Sequence, residues 1–312
     1  MNLMTEHKRV DKSYVLVTAA YNEQAYIEKT ITSIISQTAL PVKWIIVSDG
    51  STDRTDEIIQ SYANQYKFIH LYKIAENHAR DFTAQAHAVN AGFAQLRNVD
   101  YAFIGNLDSD VSVEPSYFER LLEKFEYDSG LGLAGGFIYE EHNGEFKCRR
   151  TNSVTSVAYA VQLFRRECFE SFGGYLPLRY GGSDWHAEVI VRMKGWRVVS
   201  FPELRALHHR PTGSAYGLLR YRFQQGLMDS SLGSHPSFEI LKLIRRFPEK
   251  PYALGALARL AGFVWAYCRG EKRAVPDEFV EFLRREQKER LWLAFSHPLR
   301  VIWPGKTDPT RM

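Results

Sequence analysis

Apolar runs of strand length alternate with stretches of helical periodicity along the N-terminal part of this chain. Tyr14–Ala19 is a continuous, β-branched run that predicts a first strand. After the polar loop Ala20-Tyr21-Asn22-Glu23, Ile27, Ile31, Ile34 and Ile35 mark one face of a helix. Val42–Val47, following the turn signal at Pro41, predicts a second strand. It ends in the polar turn Ser48-Asp49-Gly50-Ser51-Thr52-Asp53, which can also cap a helix running to Tyr62. Phe68–Tyr72 predicts a third strand, a helical segment leads to Leu96, and the run Tyr101–Leu107 empties into Asp108-Ser109-Asp110. Farther on, Pro115 starts a helix with Phe118, Leu121, Leu122 and Phe125 on one face. Leu131–Tyr139 and Ser153–Leu163 read as strand-like or mixed, with a charged hairpin between them. A helix over Asp184–Lys194 and a strand over Trp196–Phe201 follow.

Strands alternating with helices across short loops predict an α/β fold with a mostly parallel central sheet flanked by helices. In such a sheet the carboxyl ends of the strands lie along one edge, where ligands bind. Asn22 and Glu23, then Asp49, then Asp108 and Asp110 all follow strand ends, so the pattern predicts a polar cleft.

The pattern changes late in the chain. Pro251–Cys268 is rich in Ala, Leu, Gly and aromatics, and Leu254, Leu257, Ala258, Ala261, Val264, Trp265 and Cys268 form a helical stripe around a central Arg259. Arg245, Arg246 and Lys250 flank it on one side, and Arg269, Lys272 and Arg273 on the other. Two readings stay open: a helix lying on an anionic leaflet, or a buried helix packed on the rest of the protein. The expected organisation is a catalytic domain over 1–210 and a helical extension over 211–312, with no linker-like segment and no internal repeat.

Composition narrows the classes. The chain has 312 residues, 45% of them apolar, enough for one large core or two unequal lobes. A formal net charge of +4 gives no push towards nucleic acid, and no basic, aromatic-laced stripe is present. Cys148, Cys168 and Cys268 are widely spaced and match no zinc or redox pattern. Met1–Lys12 is polar and charged, unlike a secretory leader, and no window reaches the apolar length of a spanning helix. A cytoplasmic setting is expected, at the inner face of the plasma membrane if the late helix docks there.

Several residues are candidates for chemistry. Two carboxylates one residue apart after a buried strand make a hard-oxygen site for Mg²⁺ or Mn²⁺, although aspartates there also form turns by accepting from nearby backbone N–H groups. Asp184 and Glu188 stand four apart on the predicted helix and so share a face. Asp184 fits a helix cap, and equally a general base that takes a proton from an incoming hydroxyl. His78, His87, His186, His208 and His209 lack the regular spacing of a zinc site. The pair His208-His209 precedes Arg210-Pro211-Thr212-Gly213, a basic loop suited to a diphosphate and metal.

Val17–Glu23, Val47–Asp53, Leu107–Asp110 and Gly182-Ser183-Asp184 resemble, in that order, the hallmarks of family 2 glycosyltransferases with the GT-A fold. Ala88-Val89-Asn90-Ala91-Gly92 is similar to the family's A-x-N-x-G stretch, and the likeness runs from about Tyr14 to Arg210. The resemblance implies that Thr18, Tyr21, Glu23 and Asp49 hold the nucleoside of a nucleotide-diphospho-sugar, with Arg80 near the diphosphate. It implies that Asp108 and Asp110 bind a divalent metal, Mg²⁺ or Mn²⁺, with His208 as a further ligand. Asp184 would be the general base of an inverting transfer to a glycan or lipid-linked acceptor, as in bacterial cell-surface glycan synthesis.

Ser183 stands where the family often has a second carboxylate beside the base, which leaves Glu188 as a candidate partner. No Gln-x-x-Arg-Trp pattern of processive synthases is present, so one addition per acceptor is expected. A sugar nucleotidyltransferase would need a glycine-rich basic loop after the first strand, where this chain has Ala20-Tyr21-Asn22-Glu23. A non-catalytic nucleotide-sugar binding module is the other alternative.

Overall fold

Side-chain alternation along β1 (Tyr14–Ala20) decides how the sheet is covered. Tyr14, Leu16 and Ala20 enter one apolar core while Val15 and Val17 enter another, so the strand is buried on both faces. The computed structural model describes residues 11–74, 82–210, 217–248 and 251–296. Their first half alternates as the pattern predicts: α1 (Ile27–Ile35), β2 (Lys43–Asp49), α2 (Thr55–Ala63), β3 (Ile69–Ile74), α3 (Phe82–Ala94) and β4 (Phe103–Leu107). Strands β3, β2, β1 and β4 lie side by side and all parallel.

The rest of the sheet is mixed. After β4 come β5 (Val111–Val113), α4 (Tyr117–Tyr127), β6 (Leu131–His142), β7 (Glu145–Cys148), β8 (Val161–Arg165), α5 (Arg166–Glu170), α6 (Ser183–Met193) and β9 (Arg197–His208). The sheet continues from β4 in the order β8, β6, β9, β5, with β7 on β6. Only β6 and β9 pair in parallel there; β8 with β4 and β6, β7 with β6, and β5 with β9 are antiparallel. The expectation of a mostly parallel sheet is therefore met by the N-terminal strands alone. The β6–β7 hairpin has a local cause: Asn143 and Gly144 both take positive φ, 54° and 83°, as a tight two-residue turn requires.

Two expected strands have different limits. Ser153–Ala160 is a loop, and strand β8 begins only at Val161. Strand β9 runs past Phe201 to His208 because a register shift against β6 falls between Phe201 and Arg205. Pro202 sits within that shift, where its missing N–H breaks no ladder bond. The continuation carries His208 to the sheet edge opposite Val111.

Helix α3 rests close on β1 and β2 because Gly92 faces them; a Cβ there would come within 2.5 Å of a Val17 methyl and 2.8 Å of one on Val47. Two residues earlier, Asn90 clamps the glycine loop before Tyr175. Its Nδ2 donates to the Tyr175 carbonyl at 2.7 Å and its Oδ1 accepts from Tyr175 N–H at 3.0 Å. The Ala88–Gly92 stretch thus has a packing role.

The chain divides into two compact units, Met1–Pro177 with Ser183–Thr212, and Leu178–Gly182 with Gly213–Met312. The second is helical in its described residues: α7 (Leu218–Ser231), α8 (Pro236–Arg246), α9 (Ala253–Cys268) and α10 (Asp277–Ser296). Helices α7 and α9 cross backbone to backbone. A Cβ on Gly226 would run into the Arg259 carbonyl, and one on Gly262 into that of Phe223. Arg259 is buried and donates to Asp229 at 2.8 Å and to Gln225 at 3.0 Å. Lys242 completes the cluster by donating to Asp229 and Glu239, both at 2.8 Å, so these buried charges are paired.

Helix α9 turns its apolar stripe outward. Leu254, Leu257, Ala261, Val264, Trp265 and Cys268 are exposed, whereas Gly255, Ala256, Arg259, Gly262, Phe263 and Ala266 are buried. Among the described residues no helix is long and apolar enough to cross a membrane.

Candidate active site

Two strand-end loops are stitched together before any chemistry is added. Asn22, with φ 51°, accepts from Thr52 N–H at 2.7 Å, and its own N–H donates to Ser51 Oγ at 3.2 Å. Asparagine tolerates that left-handed conformation better than most residues. Glu23 N–H donates to Thr55 Oγ1 at 2.7 Å, and Gln24 N–H to Asp53 Oδ2 at 3.1 Å. Asp53 also accepts from the Thr55 N–H and hydroxyl, at 2.9 and 2.5 Å. Much of the Ser48–Asp53 motif therefore holds the loops after β1 and β2 in place. Asp49 remains at the end of β2, and Tyr21 and Asp49 are both partly exposed.

Thr18 has a different placement from the strand-end residues. It is fully buried, and its hydroxyl accepts the Trp44 indole N–H at 2.9 Å, which commits the side chain to the core. Arg80 lies outside the described residues, as do His78 and 211–213 of the basic loop.

The Asp108-Ser109-Asp110 turn is held from both sides. Asp108 N–H donates to the Ala160 carbonyl at 3.0 Å, and the Ser109 carbonyl accepts from the buried Thr30 hydroxyl at 2.8 Å. Asp108 Oδ1 accepts from Gln85 Nε2 at 3.1 Å. Burial, and then the charge of Asp110, push the Asp108 carboxyl up to about 7.

Asp110 is buried and sits between His208 and Arg210. Its Oδ1 lies 3.2 Å from His208 Nε2, and its Oδ2 lies 2.8 Å from the Arg210 guanidinium. Burial alone would raise its carboxyl, but His208 and Arg210 hold it below the ordinary range. The same Arg210 nitrogen lies 2.7 Å from Glu23 Oε1, so one guanidinium joins the first and fourth strand ends. Burial, opposed by Arg210, raises Glu23. His208 is raised in turn: burial disfavours its charge, but Asp110 and then Asp108 favour it more strongly. His208 Nδ1 is buried without a hydrogen-bond partner among the described residues.

Asp184 opens α6, with Oδ1 accepting its neighbour's Trp185 N–H at 2.8 Å. Burial raises its carboxyl, while backbone N–H groups, including that of Tyr159, and the Arg149 charge oppose the rise. Glu188, the candidate second carboxylate, is a buried strut. Its Oε1 accepts from Ser156 Oγ at 2.9 Å and Val157 N–H at 2.8 Å, and Arg192 lies 3.5 Å from Oε2. Burial pushes it up to about 8. It fastens the loop before β8.

That loop delivers Tyr159, which no local pattern marks. The Tyr159 carbonyl accepts from Asn106 Nδ2 at 2.7 Å, and its ring lies 4.9 Å from that of Tyr175. Its hydroxyl is buried with no partner among the described residues. Burial, then the charges of Asp108 and Asp184, push the phenol well above its ordinary value, so it remains a donor. Tyr159 thus lies within electrostatic reach of both carboxylate groups, which are far apart in sequence.

Among the described residues no three His, Cys, Asp or Glu side chains are arranged to hold a metal ion alone. The clustered carboxylates of Asp108, Asp110 and Glu23, with His208 Nε2 3.2 Å from Asp110 Oδ1, nonetheless suit a hard cation whose remaining ligands come from a phosphate. The residues present fit such an ion as a partial shell.

Known proteins share this frame. Mannosyltransferase PcManGT from Pyrobaculum calidifontis, solved with GDP-Man and Mn²⁺, superposes over 94% of this chain and 83% of its own, with TM-score 0.53 at 19% identity. TarS of Staphylococcus aureus, solved with UDP-GlcNAc, superposes over 93% of this chain and 82% of its own, with TM-score 0.52 at 13% identity. These likenesses establish a GT-A-type fold. Glycosyltransferase GlyA of Streptococcus pneumoniae serotype 4 is 30% identical over 138 residues, 44% of this chain but only 18% of GlyA. The family model for Glycosyl transferase family 2 matches residues 15–179, which is more than half of the chain and takes in Glu23, Asp49, Asp108, Asp110 and Tyr159. The chain belongs to glycosyl transferase family 2.

Proposed function

We propose that the protein transfers a sugar from a nucleotide-diphospho-sugar to an acceptor hydroxyl, with inversion at the anomeric carbon. The observation that carries this reading is the Asp108–Asp110–His208–Glu23 cluster at the strand ends, with Tyr159 electrostatically coupled to both Asp108 and Asp184. The donor complexes of PcManGT and TarS support the donor class, and the Mn²⁺ in the former supports a divalent metal.

In this reading Tyr21, Glu23 and Asp49 contact the nucleoside, and Asp108, Asp110 and His208 would hold a divalent metal. Arg210 bridges Glu23 and Asp110 at these strand ends. A bound Mg²⁺ or Mn²⁺ would neutralise charge on the departing diphosphate. Asp184 takes the proton of the acceptor hydroxyl as the acceptor oxygen bonds to the anomeric carbon. The bond from that carbon to the diphosphate oxygen breaks, and the nucleoside diphosphate leaves on the opposite face. The raised Asp184 carboxyl is a stronger base than an exposed one, provided the pH keeps it ionised. Tyr159, buried within electrostatic reach of Asp108 and Asp184, acts as a positioning residue. The first unit would carry the donor chemistry as the catalytic domain, with the helical unit as its extension. Cell-surface polysaccharide or glycolipid synthesis, by single additions to a glycan or lipid-linked acceptor, is the proposed setting.

The test is a panel of nucleotide-diphospho-sugars with Mn²⁺ or Mg²⁺, read by calorimetry and by release of nucleoside diphosphate. Metal-dependent binding of one donor, with slow hydrolysis lost in Asp184→Asn, is the expected result. Release of pyrophosphate from a nucleoside triphosphate and a sugar 1-phosphate would instead identify a nucleotidyltransferase. Binding without any turnover would identify a binding module.

A further inference from the structure

Apart from Phe263, helix α9 buries only glycines, alanines and its arginine, and it leaves Leu254, Leu257, Val264 and Trp265 outside. That is the reverse of what packing against the rest of a protein selects, because burial of large side chains is the main stabilising term of a surface helix. Leu254, Leu257, Val264 and Trp265 are between 46 and 62% exposed along one face. By helical rise that row is about 16 Å long. Ile244 and Phe247, at the end of α8 in the same unit, are likewise more than half exposed, at 55 and 54%.

Basic residues predominate beside this face, and the exposed Glu271 between Arg269 and Lys272 accepts from the Tyr180 hydroxyl at 3.0 Å. Helix α9 contains no Asp or Glu. Arg245 at the end of α8 and Arg269 and Lys272 after α9 are exposed. The Arg269 guanidinium stacks 4.3 Å from the Trp265 ring, which sets an amphipathic aromatic and a cation side by side at the end of the stripe. Arg259, the basic residue within α9, is turned inward to Asp229, so no charge interrupts the exposed row.

We infer that the α9 face, flanked by Arg245, Arg269 and Lys272, lies in the interface of an anionic lipid bilayer. The apolar row enters the acyl boundary, by about 5–10 Å for helices of this kind, while the arginines and lysine stay at headgroup level. At 16 residues with a central arginine, α9 is too short to span. An isologous contact with a second copy is the weaker occupant, because it would set this basic rim against its own copy. The stripe lies outside residues 15–179, so family membership does not imply it. It is also independent of the donor-site reading, since lipid binding needs no nucleotide.

Flotation of the full chain with vesicles tests this. Vesicles of phosphatidylglycerol and phosphatidylcholine in equal parts should carry the protein, and phosphatidylcholine alone should carry much less. The double variant Leu257→Glu/Val264→Glu alters exposed positions, so its circular dichroism and nucleotide binding should match the parent. Its vesicle-bound fraction should fall about tenfold or more. Replacing Arg269 and Lys272 by Gln should weaken binding to anionic vesicles while barely altering binding to neutral ones. Failure of the parent to float with anionic vesicles overturns the inference. So does a dimer in sedimentation velocity that the Glu variants dissociate without any vesicle binding having been present. Loss of donor binding in the parent would count against the proposed transferase and leave the lipid result standing.

Discussion

His208 Nε2 lies 3.2 Å from Asp110 Oδ1, although the two stand 98 positions apart in the chain. The figure follows from the ladder: Val111 pairs with His208 across β5 and β9, so the residue before Val111 meets the histidine that ends β9. The pair exchanges charge stabilisation, with Asp110 held low and His208 raised despite the burial of both. A metal at His208 Nε2 would need the neutral ring and would replace the contact with Asp110 at that nitrogen.

Asp110→Asn should weaken Mn²⁺-dependent donor binding by about 10- to 100-fold, the range seen when a metal site loses a supporting group. Calorimetry with and without Mn²⁺ separates this from general unfolding. Equal donor affinity in both enzymes would remove Asp110 from the metal site.

Asp184→Asn should leave donor affinity near that of the parent and lower turnover by about 10²- to 10⁴-fold, the usual contribution of a general base. In the parent, the acid limb of the kcat/KM profile should fall above the ordinary carboxylate range, because burial raises Asp184 and only its ionised form accepts the proton. An unshifted limb would assign the base elsewhere.

Tyr159→Phe should separate stability from activity. The hydroxyl is buried without a partner, so its removal relieves an unpaid desolvation cost of about 1–3 kcal/mol and should leave Tm unchanged or higher. Turnover should nevertheless fall, because the phenol lies within electrostatic reach of Asp108 and Asp184. A variant with both unchanged would make Tyr159 a packing residue only.

Glu188 gives stability a pH dependence with a definite sign. Its folded pKa of about 8 exceeds the ordinary carboxylate value of 4.5, so between these limits the folded state holds a proton that the unfolded state has lost. The contribution therefore weakens as pH rises from about 5 to 8, by at most about 1.4 kcal/mol per unit, and is constant above that window. Denaturant midpoints measured from pH 5 to 8 should fall in the parent and vary less in Glu188→Gln. The amide oxygen of that variant can still accept from Ser156 and Val157.

Gly226→Ala tests the helical unit. The added methyl meets the Arg259 backbone carbonyl, which cannot rotate away as a side chain can. Overpacking of this kind costs about 1–3 kcal/mol, and a lowered denaturant midpoint with unchanged donor affinity is the expected result. A neutral substitution would mean that α7 and α9 separate without loss.

The sequence by itself determined the elements and the sheet edge that carries the polar residues. Continuous apolar runs bury both faces of a strand, and helical periodicity is a local property, so β1 to β4 and their helices were legible from neighbouring residues. The strand-end placement of Glu23, Asp49, Asp108 and Asp110 follows from parallel topology alone. What only the tertiary structure decided involves partners distant in the chain. Thr18 faces Trp44 because β1 and β2 share a register; Glu188 fastens a loop through Ser156 and Val157; Arg210 joins Glu23 to Asp110. The α9 stripe makes the same point from the other direction. Its period was plain, but period cannot tell which face turns inward, and the close backbone crossing at Gly226 and Gly262 selected the glycines and left the leucines and Trp265 outside.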